Sequence, residues 1–227
     1  GVALRNQGKF EEAIEAYKKS ISLNPDDADT YYNMGIALKD QGKFDEAIEF
    51  YKKAILLKPD NAKVFNNLGL ILHHQDRLDQ AIDAFNKALL IKPNHAEAYN
   101  NLGIALKDQG KLDDAKEAYK KSISLKPDYA KAYSNMGNIF KDQIMLNEAL
   151  DAYKKANVLK PNDADILYNT ANTLQDLGRL EEAEKNFRQA ILWKSDFAEA
   201  HQNLSINLLN SGRLKEGLDK NEWRWKT

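Results

Sequence analysis

The prolines of this chain are evenly spaced. They are Pro25, Pro59, Pro93, Pro127 and Pro161, and each lies 34 positions after the one before. The next position in the series holds Ser195, in a Lys-Ser-Asp context that matches the Lys-Pro-Asp or Lys-Pro-Asn context of several earlier members. A fixed period between about 20 and 50 residues indicates stacked supersecondary units. The chain is therefore predicted to be built from repeats.

The repeat can be numbered so that its proline is position 32. We expect residues 1–227 to form a single array, with complete repeats at 28–61, 62–95, 96–129, 130–163 and 164–197, a partial repeat at 1–27 and a degenerate C-terminal repeat at 198–227. Apolar residues within 28–61 follow helical spacing in two stretches. Each repeat is therefore predicted to be a pair of helices.

Position 15 is predicted to end the first helix of each pair. It is Gly in most repeats, which suits a left-handed C-cap, and the proline at position 32 ends the second helix. Two repeats depart from this rule, with Asp76 and Ile144. A β-branched residue does not tolerate a left-handed backbone, so we expect the turn around residues 142–146 to differ from its siblings.

Small and aromatic residues recur at fixed positions. Position 8 holds Gly1, Gly35, Gly69, Gly103, Gly137, Ala171 and Ser205. Position 20 is Ala in six repeats, and position 24 is Tyr or Phe in six. Two helices can approach closely at the small residues, and the rings are predicted to fill the space between layers.

These features resemble the tetratricopeptide repeat. The resemblance rests on the 34-residue period, on Leu or Met before Gly at positions 7 and 8, as in Met34-Gly35 and Leu68-Gly69, on the small position 20 and on the proline at 32. It implies an all-α, right-handed superhelical solenoid of antiparallel helix pairs, whose first helices line a concave groove. The exposed apolar face of each pair independently requires a neighbouring pair to cover it.

Positions 2, 6, 9 and 13 are predicted to form the groove stripe, because they lie opposite the buried positions 7 and 8 at 100° per residue. Position 6 is Asn in six repeats, namely Asn33, Asn67, Asn101, Asn135, Asn169 and Asn203. Position 9 adds Asn138 and Asn172, and apolar residues elsewhere. One interpretation is structural: the amides descend from one ancestral residue, or each bonds a neighbouring helix.

The other interpretation is recognition of a peptide backbone. The donor and acceptor of an amide match those of a peptide group. Layers about 10 Å apart would meet about every third residue of an extended ligand. The Asn row also resembles the repeat arm of O-linked N-acetylglucosamine transferases, where such a ladder holds the substrate backbone. That resemblance implies the same role for the six Asn, and for an acidic row formed by Asp40, Asp108, Asp142 and Asp176.

The amino-acid composition and the absence of certain motifs argue against several classes of function. Lys plus Arg number 33 against 34 Asp plus Glu, so the formal charge is −1 and nucleic-acid binding is not expected. Absence of Cys removes thiolate metal sites and cysteine nucleophiles. No apolar run approaches the roughly 20 residues that span a bilayer. No phosphate loop, nucleophile elbow or metal cluster is evident, so neither catalysis nor a cofactor is predicted.

The predicted function is a non-catalytic module that binds a protein or an extended peptide. Two alternatives remain open: the substrate-recognition arm of a larger glycosyltransferase, and a scaffold that self-associates end to end. The chain starts inside a first helix and stops inside a second, which favours a piece of a longer protein. Two interpretations remain open for Trp223 and Trp225. They cap the last layer, or they belong to a stretch, Gly217 to Trp225, that resembles the ending of bacterial tetratricopeptide arrays that continue into a glycosyltransferase-like domain. The expected compartment is the cytoplasm.

Overall fold

The computed structural model describes residues 1–221, and all of its regular elements in that range are α-helices. The helices are α1 Val2–Asn6, α2 Phe10–Leu23, α3 Ala28–Asp40, α4 Phe44–Leu57, α5 Ala62–His74, α6 Leu78–Ile91, α7 Ala96–Asp108, α8 Leu112–Leu125, α9 Ala130–Asp142, α10 Leu146–Leu159, α11 Ala164–Asp176, α12 Leu180–Trp193, α13 Ala198–Asn210 and α14 Leu214–Asn221. They alternate as first and second helices of successive pairs. The prediction for Trp223 and Trp225 lies outside the described residues.

The chain divides into two compact units, Gly1–Ala118 and Tyr119–Thr227. In the first unit each helix from α2 to α6 packs on the next, and the first helices α3, α5 and α7 also contact one another in order. In the second unit the helices from α9 to α14 pack in the same sequential way, and α11 contacts both α9 and α13. This is the all-α solenoid arrangement of helix pairs. The assignment of residues 1–227 to one array, and its superhelical hand, stay predictions.

Four helix pairs close on a contact between a glycine of the first helix, Gly1, Gly35, Gly69 or Gly137, and a ring of the second. A Cβ atom added to Gly137 would lie 2.6 Å from Cε1 of Tyr153, and one added to Gly35 would lie 2.5 Å from the same atom of Tyr51. Tyr51 and Tyr153 are fully buried, as are the Ala residues at position 20. The predicted close approach at positions 8, 20 and 24 is confirmed.

The turn between α9 and α10 does not differ from its siblings, so the expectation for residues 142–146 is wrong. Ile144 has φ 61° and occupies the left-handed region, as Gly42 does at 76° in the equivalent turn. The amide of Met145 donates to the carbonyl of Phe140, which reproduces the bond from Lys43 to Leu38. The helix packing around the turn holds Ile144 in a conformation that its own side chain disfavours.

We expect Ile144→Gly to raise the free energy of unfolding by about 1 kcal/mol, since glycine removes the left-handed penalty of a β-branched residue. The side chain of Ile144 is 81% exposed, so little packing is lost. Urea unfolding followed by circular dichroism measures the change. Asp76→Gly is the matched control, because Asp tolerates φ 57° better and the gain there should be smaller. An Ile144→Gly variant that is no more stable than the wild type contradicts the strain argument.

Candidate peptide-binding surface

The predicted stripe lies along the first helices and is accessible in both units. Every residue at positions 2 and 13 of the six first helices from α3 to α13 is exposed, and the six Asn at position 6 are half-buried. Positions 6 and 13 are seven residues apart, so they share a helix face about 10.5 Å apart. The stripe thus has a half-buried middle with charged or polar margins.

In the first compact unit, two of the three position-6 amides, those of Asn67 and Asn101, bond to the preceding first helix. Nδ2 of Asn67 donates to the hydroxyl of Tyr32 at 3.0 Å. Nδ2 of Asn101 donates to Oδ1 of Asn66 at 3.1 Å. Both acceptors hold position 5 of the preceding repeat. These bonds tie neighbouring first helices together.

The second compact unit adds a further acceptor, the Asn at position 9. Nδ2 of Asn169 lies 3.5 Å from Oδ1 of Asn138. Nδ2 of Asn203 donates to Oδ1 of Asn172 at 2.7 Å and to the hydroxyl of Tyr168 at 3.0 Å. Each of these position-6 amides therefore bonds to the side chain at position 9 of the preceding repeat.

The position-6 amides are therefore not free groups, whereas recognition of a peptide backbone requires groups that are available to a ligand. Four bond to a neighbouring helix, which confirms the structural interpretation for Asn67, Asn101, Asn169 and Asn203. Asn33 donates to the carbonyl of Asp29 in its own helix at 2.8 Å, and Asn135 also has an interaction partner. Any ligand must use the hydrogen-bonding capacity that these bonds leave over.

The remaining capacity in the second unit is a donor beside an acceptor. Within residues 1–221, Oδ1 of Asn169 and of Asn203 accepts no hydrogen bond, and Nδ2 of Asn138 and of Asn172 donates none. Each Asn pair therefore presents one carbonyl oxygen and one NH₂ group. A peptide group offers the complementary donor and acceptor.

The hydroxyl of Tyr153 helps to orient the amide of Asn138. It donates to Oδ1 of Asn138 at 2.6 Å. Burial raises the pKa of Tyr153, and the nearby Asp142 carboxylate raises it further, so the hydroxyl keeps its proton at neutral pH. With Tyr153 and Asn169 both donating to Oδ1, the NH₂ group of Asn138 points away from this bond.

The first unit has apolar residues where Asn138 stands. In the pairs that contain Tyr17 and Tyr51, the residues equivalent to Asn138 are Val2 and Ile36, which accept no hydrogen bond. Accordingly, the buried hydroxyls of Tyr17 and Tyr51 have no hydrogen-bond partner within the described residues. Burial raises the pKa of Tyr51 as well. The two units therefore share the helix framework but differ in the chemistry of position 9.

The acidic row is exposed, and three of its four carboxylates contact a basic side chain. Asp108 lies 2.7 Å from Nε2 of His73, and Asp176 lies 3.5 Å from Nζ of Lys141. In both cases the partner is at position 12 of the preceding repeat. Asp40 lies 3.3 Å from Nζ of Lys39, and Asp142 is exposed. The contacts with Lys39 and Lys141 partly offset the negative charge of the acidic row.

A cavity of about 450 Å³ opens beside the N-terminal ends of α3 and α5. Asp29 and Lys63, at position 2 of neighbouring repeats, line it together with Tyr32. Burial raises the pKa of Tyr32, and the hydrogen bond from Asn67 opposes that rise. The cavity places charges of both signs at one end of the first-unit stripe.

Comparison with known proteins assigns the class. Models described as tetratricopeptide repeat or TPR repeat match residues 1–42, 28–61, 60–128, 100–164 and 152–185. The structure of MamA is 33% identical, with 70% of this chain and 93% of that chain covered at a TM-score of 0.65. The chain belongs to the tetratricopeptide repeat family.

Two further solved structures are similar. YrrB, described as a TPR protein with an unusual peptide-binding site, is 26% identical, with 82% of this chain and 96% of that chain covered at a TM-score of 0.64. PilW, described as a type IV pilus biogenesis factor, is 21% identical with a TM-score of 0.80, over 89% of this chain and 94% of that chain, and shows the fold alone. A comparison with curated proteins gives no match.

Metal-binding clusters and membrane-spanning helices are both absent from residues 1–221. No group of three or more His, Cys, Asp or Glu side chains there is arranged to hold a metal ion. No helix in that range combines the length and the apolar character needed to cross a bilayer.

We expect Asn203→Ala to lower the free energy of unfolding by about 1 kcal/mol. The change removes two interlayer hydrogen bonds, and the higher helix propensity of Ala offsets part of the loss. Asn33→Ala is the matched control, because that amide bonds only its own helix; its stability should stay within about 0.5 kcal/mol of wild type. Denaturant titration measures both. Equal effects would contradict an interlayer role for Asn203.

Tyr51→Phe should leave stability unchanged or raise it by up to about 1 kcal/mol, because it removes a buried hydroxyl without a partner. Tyr153→Phe should instead lower stability by about 1 kcal/mol, since it removes the bond to Asn138. Phe85 and Phe187 already occupy the same position, so both variants should fold. Thermal and urea unfolding of the pair measure the difference. The opposite order of stabilities would contradict the assigned bonds.

Proposed function

We propose that the chain is a non-catalytic module that binds an extended polypeptide segment along the first-helix stripe. Tetratricopeptide repeats are protein–protein interaction modules, and the family match covers most of the chain. YrrB is described as having a peptide-binding site, and this chain covers 96% of it. The proposal assigns the ligand to the surface formed by positions 2, 6, 9 and 13.

One observation carries the proposal: the Asn pairs of the second unit leave a donor and an acceptor side by side. In the pair Asn172–Asn203, Nδ2 of Asn172 is available to the carbonyl of a ligand, and Oδ1 of Asn203 to its amide. The pair Asn138–Asn169 repeats this arrangement one layer earlier. Layers about 10 Å apart correspond to about three residues of extended peptide. Binding of this kind depends on the ligand backbone and little on its sequence.

The internal bonds make the site rigid before a ligand arrives. Each pair is already held by a hydrogen bond between repeats, so its amides lose little freedom on binding. Groups that are ordered in the free protein add more net affinity than groups that a ligand must immobilise. The structural role of the Asn row therefore supports its role in recognition.

The stripe of the first unit is suited to side chains. Ile36, Leu70 and Ile104 occupy position 9 there and are half-buried or exposed. Asp29, Lys63 and Glu97 at position 2 alternate in sign along it. We propose that this stripe contacts aliphatic side chains of the partner between charged residues.

The alternatives stay predictions of the sequence. They are the substrate-recognition arm of a glycosyltransferase resembling the O-linked N-acetylglucosamine enzymes, and end-to-end self-association. We also propose that the protein is cytoplasmic, that it does not bind nucleic acid and that an acidic row contributes to the ligand site. This row is formed by Asp40, Asp108, Asp142 and Asp176.

Replacement of Asn138 and Asn172 by Asp tests the proposal. Each Asp keeps the oxygen that accepts the internal bonds but replaces the free NH₂ group by a second oxygen. We expect the double variant to retain its stability and to weaken binding about tenfold or more, because two donors to the ligand are lost. The probes are peptides that the wild type selects from a random display library, and fluorescence anisotropy measures their affinity.

Gln189→Glu with Asn147→Asp is the matched control, since it adds the same charge at exposed residues of α12 and α10, which are both second helices. Its affinity for the probes should stay within about twofold of wild type, as expected for exposed charges on another surface. Unchanged affinity in the Asn138→Asp/Asn172→Asp variant would show that the Asn pairs do not bind the ligand.

A further inference from the structure

A row of exposed aliphatic residues runs along the second helices. Position 29 holds Leu56, Leu90, Val158 and Leu192, whose side chains are between 77% and 84% exposed. Single exposed apolar residues are ordinary, but four at one position of a repeat require comparison with the repeats that lack them.

The fold does not need an apolar residue at position 29. Two repeats carry Ser there, Ser22 and Ser124, and both hydroxyls donate to a backbone carbonyl of their own helix. Helices α2 and α8 have the same length as α10 and α12. The aliphatic side chains at this position therefore contribute nothing that folding demands.

One of these residues borders a cavity in the second compact unit. The cavity measures about 410 Å³ and is lined by Pro127, Tyr133, Lys154, Lys155, Val158 and Leu159. This α9–α10 pocket has a floor of ring and aliphatic carbon, because Tyr133 and Leu159 are only partly covered. Its volume lies within the range of about 300–1,000 Å³ that is usual for ligand sites.

The two lysines at the rim have no carboxylate partner. Neither Lys154 nor Lys155 forms an ion pair within residues 1–221, although Asp151 lies one turn earlier on the same helix. The equivalents of Lys154 behave differently: Lys18 pairs with Glu15 at 2.9 Å, and Lys52 with Glu49 at 2.8 Å.

The other groups near the rim do not neutralise it. Nζ of Lys155 lies 5.9 Å from the ring centroid of Tyr133, over the floor of the pocket. Lys154 contributes to the lowered pKa of the Glu182 carboxylate on α12. That carboxylate is already paired with Arg179 at 2.7 Å, and the hydrogen bond from Arg179 is the main reason for its lowered pKa. Lys160 is paired with Asp163. The two rim ammonium groups are therefore available to an outside anion.

We propose that the α9–α10 pocket is a second binding site, separate from the first-helix stripe, for an acidic segment of another protein. One apolar side chain of that segment lies on Val158, Leu159 and Tyr133. Carboxylates on either side of it pair with Lys154 and Lys155. An apolar floor beside two lysines that have no carboxylate partner is complementary to this pattern and disfavours segments rich in Lys or Arg.

The test uses a fluorescein-labelled peptide, Gly-Ser-Glu-Asp-Phe-Leu-Glu-Asp-Ser-Gly, and fluorescence anisotropy with the full chain. We expect saturable binding that weakens as salt rises. Val158→Ser should weaken it about fivefold through loss of apolar contact. Lys154→Gln with Lys155→Gln should weaken it about tenfold or more. Circular dichroism of the variants should show the helicity of the wild type. Val158→Ser should fold because Ser already occupies position 29 in two other repeats.

Lys18→Gln with Lys19→Gln is the matched control, because α2 has lysines at the same positions and Ser22 in place of Val158. It should leave the affinity unchanged. A control that weakens binding as much as the pocket variants would reduce the effect to general electrostatics and overturn the proposal. Absence of saturable binding, or binding that Val158→Ser does not alter, would also overturn it.

Two more measurements distinguish the pocket from the first-helix stripe and from a contact between two copies of the chain. The Asn138→Asp/Asn172→Asp variant should bind the acidic probe as the wild type does, so failure of the stripe and failure of the pocket can be told apart. Sedimentation velocity should show no dimer that Val158→Ser abolishes. Such a dimer would make a second copy of the chain the occupant of the pocket and would overturn the proposal.

Discussion

The contact between a glycine of the first helix and a ring of the second helix, seen at Gly1, Gly35, Gly69 and Gly137, governs the rest of the structure. Only hydrogen fits between the backbone of Gly69 and the ring of Phe85, where an added Cβ would lie 2.6 Å from the nearest ring atom. The two helices of a pair are thereby brought to a fixed separation and rotation. With the inner face fixed in this way, positions 2, 6 and 13 lie on the accessible side of the first helix. Position 9 lies at the edge of that side, where Asn138 still accepts a hydrogen bond from Tyr153 of the partner helix. The binding stripe is therefore a consequence of how each pair closes.

Features that repeat within one pair could be predicted from the sequence. The period of the prolines located the ends of the second helices, and the small and aromatic positions identified the buried faces, because both depend on contacts inside a single repeat. The turn at Ile144 shows the limit of local reasoning. Its side chain argued against a left-handed backbone, yet φ is 61° because the packing of α9 on α10 determines the turn. Tertiary contacts outweighed a local preference of about 1–2 kcal/mol.

The hydrogen bonds of the Asn row could not be derived in the same way. Whether Asn67 or Asn203 bonds outward or to a neighbour depends on which side chains stand at positions 5 and 9 of the preceding repeat. Helical periodicity gives the face of a residue, but not the distance to a residue about 35 positions away. The sequence contained one indication of these bonds: position 9 is Asn in two repeats, at Asn138 and Asn172, and aliphatic in the others. This difference coincides with the acceptor of Tyr153 and with the pairing of Asn172.

Comparison of the repeats also distinguishes the residues that the fold requires from the residues that it only tolerates. A position that must be filled in one way, such as the Ala at position 20, is the same in every complete repeat. In the complete repeats, position 29 is Leu, Val or Ser and position 9 is Ile, Leu or Asn, while the helices around them keep the same lengths. Variation of this kind on an accessible face changes surface chemistry without changing the framework. Comparison of equivalent positions between repeats therefore shows which side chains the fold accepts. Accessible positions whose side chains differ between repeats are the places where a binding surface is expected.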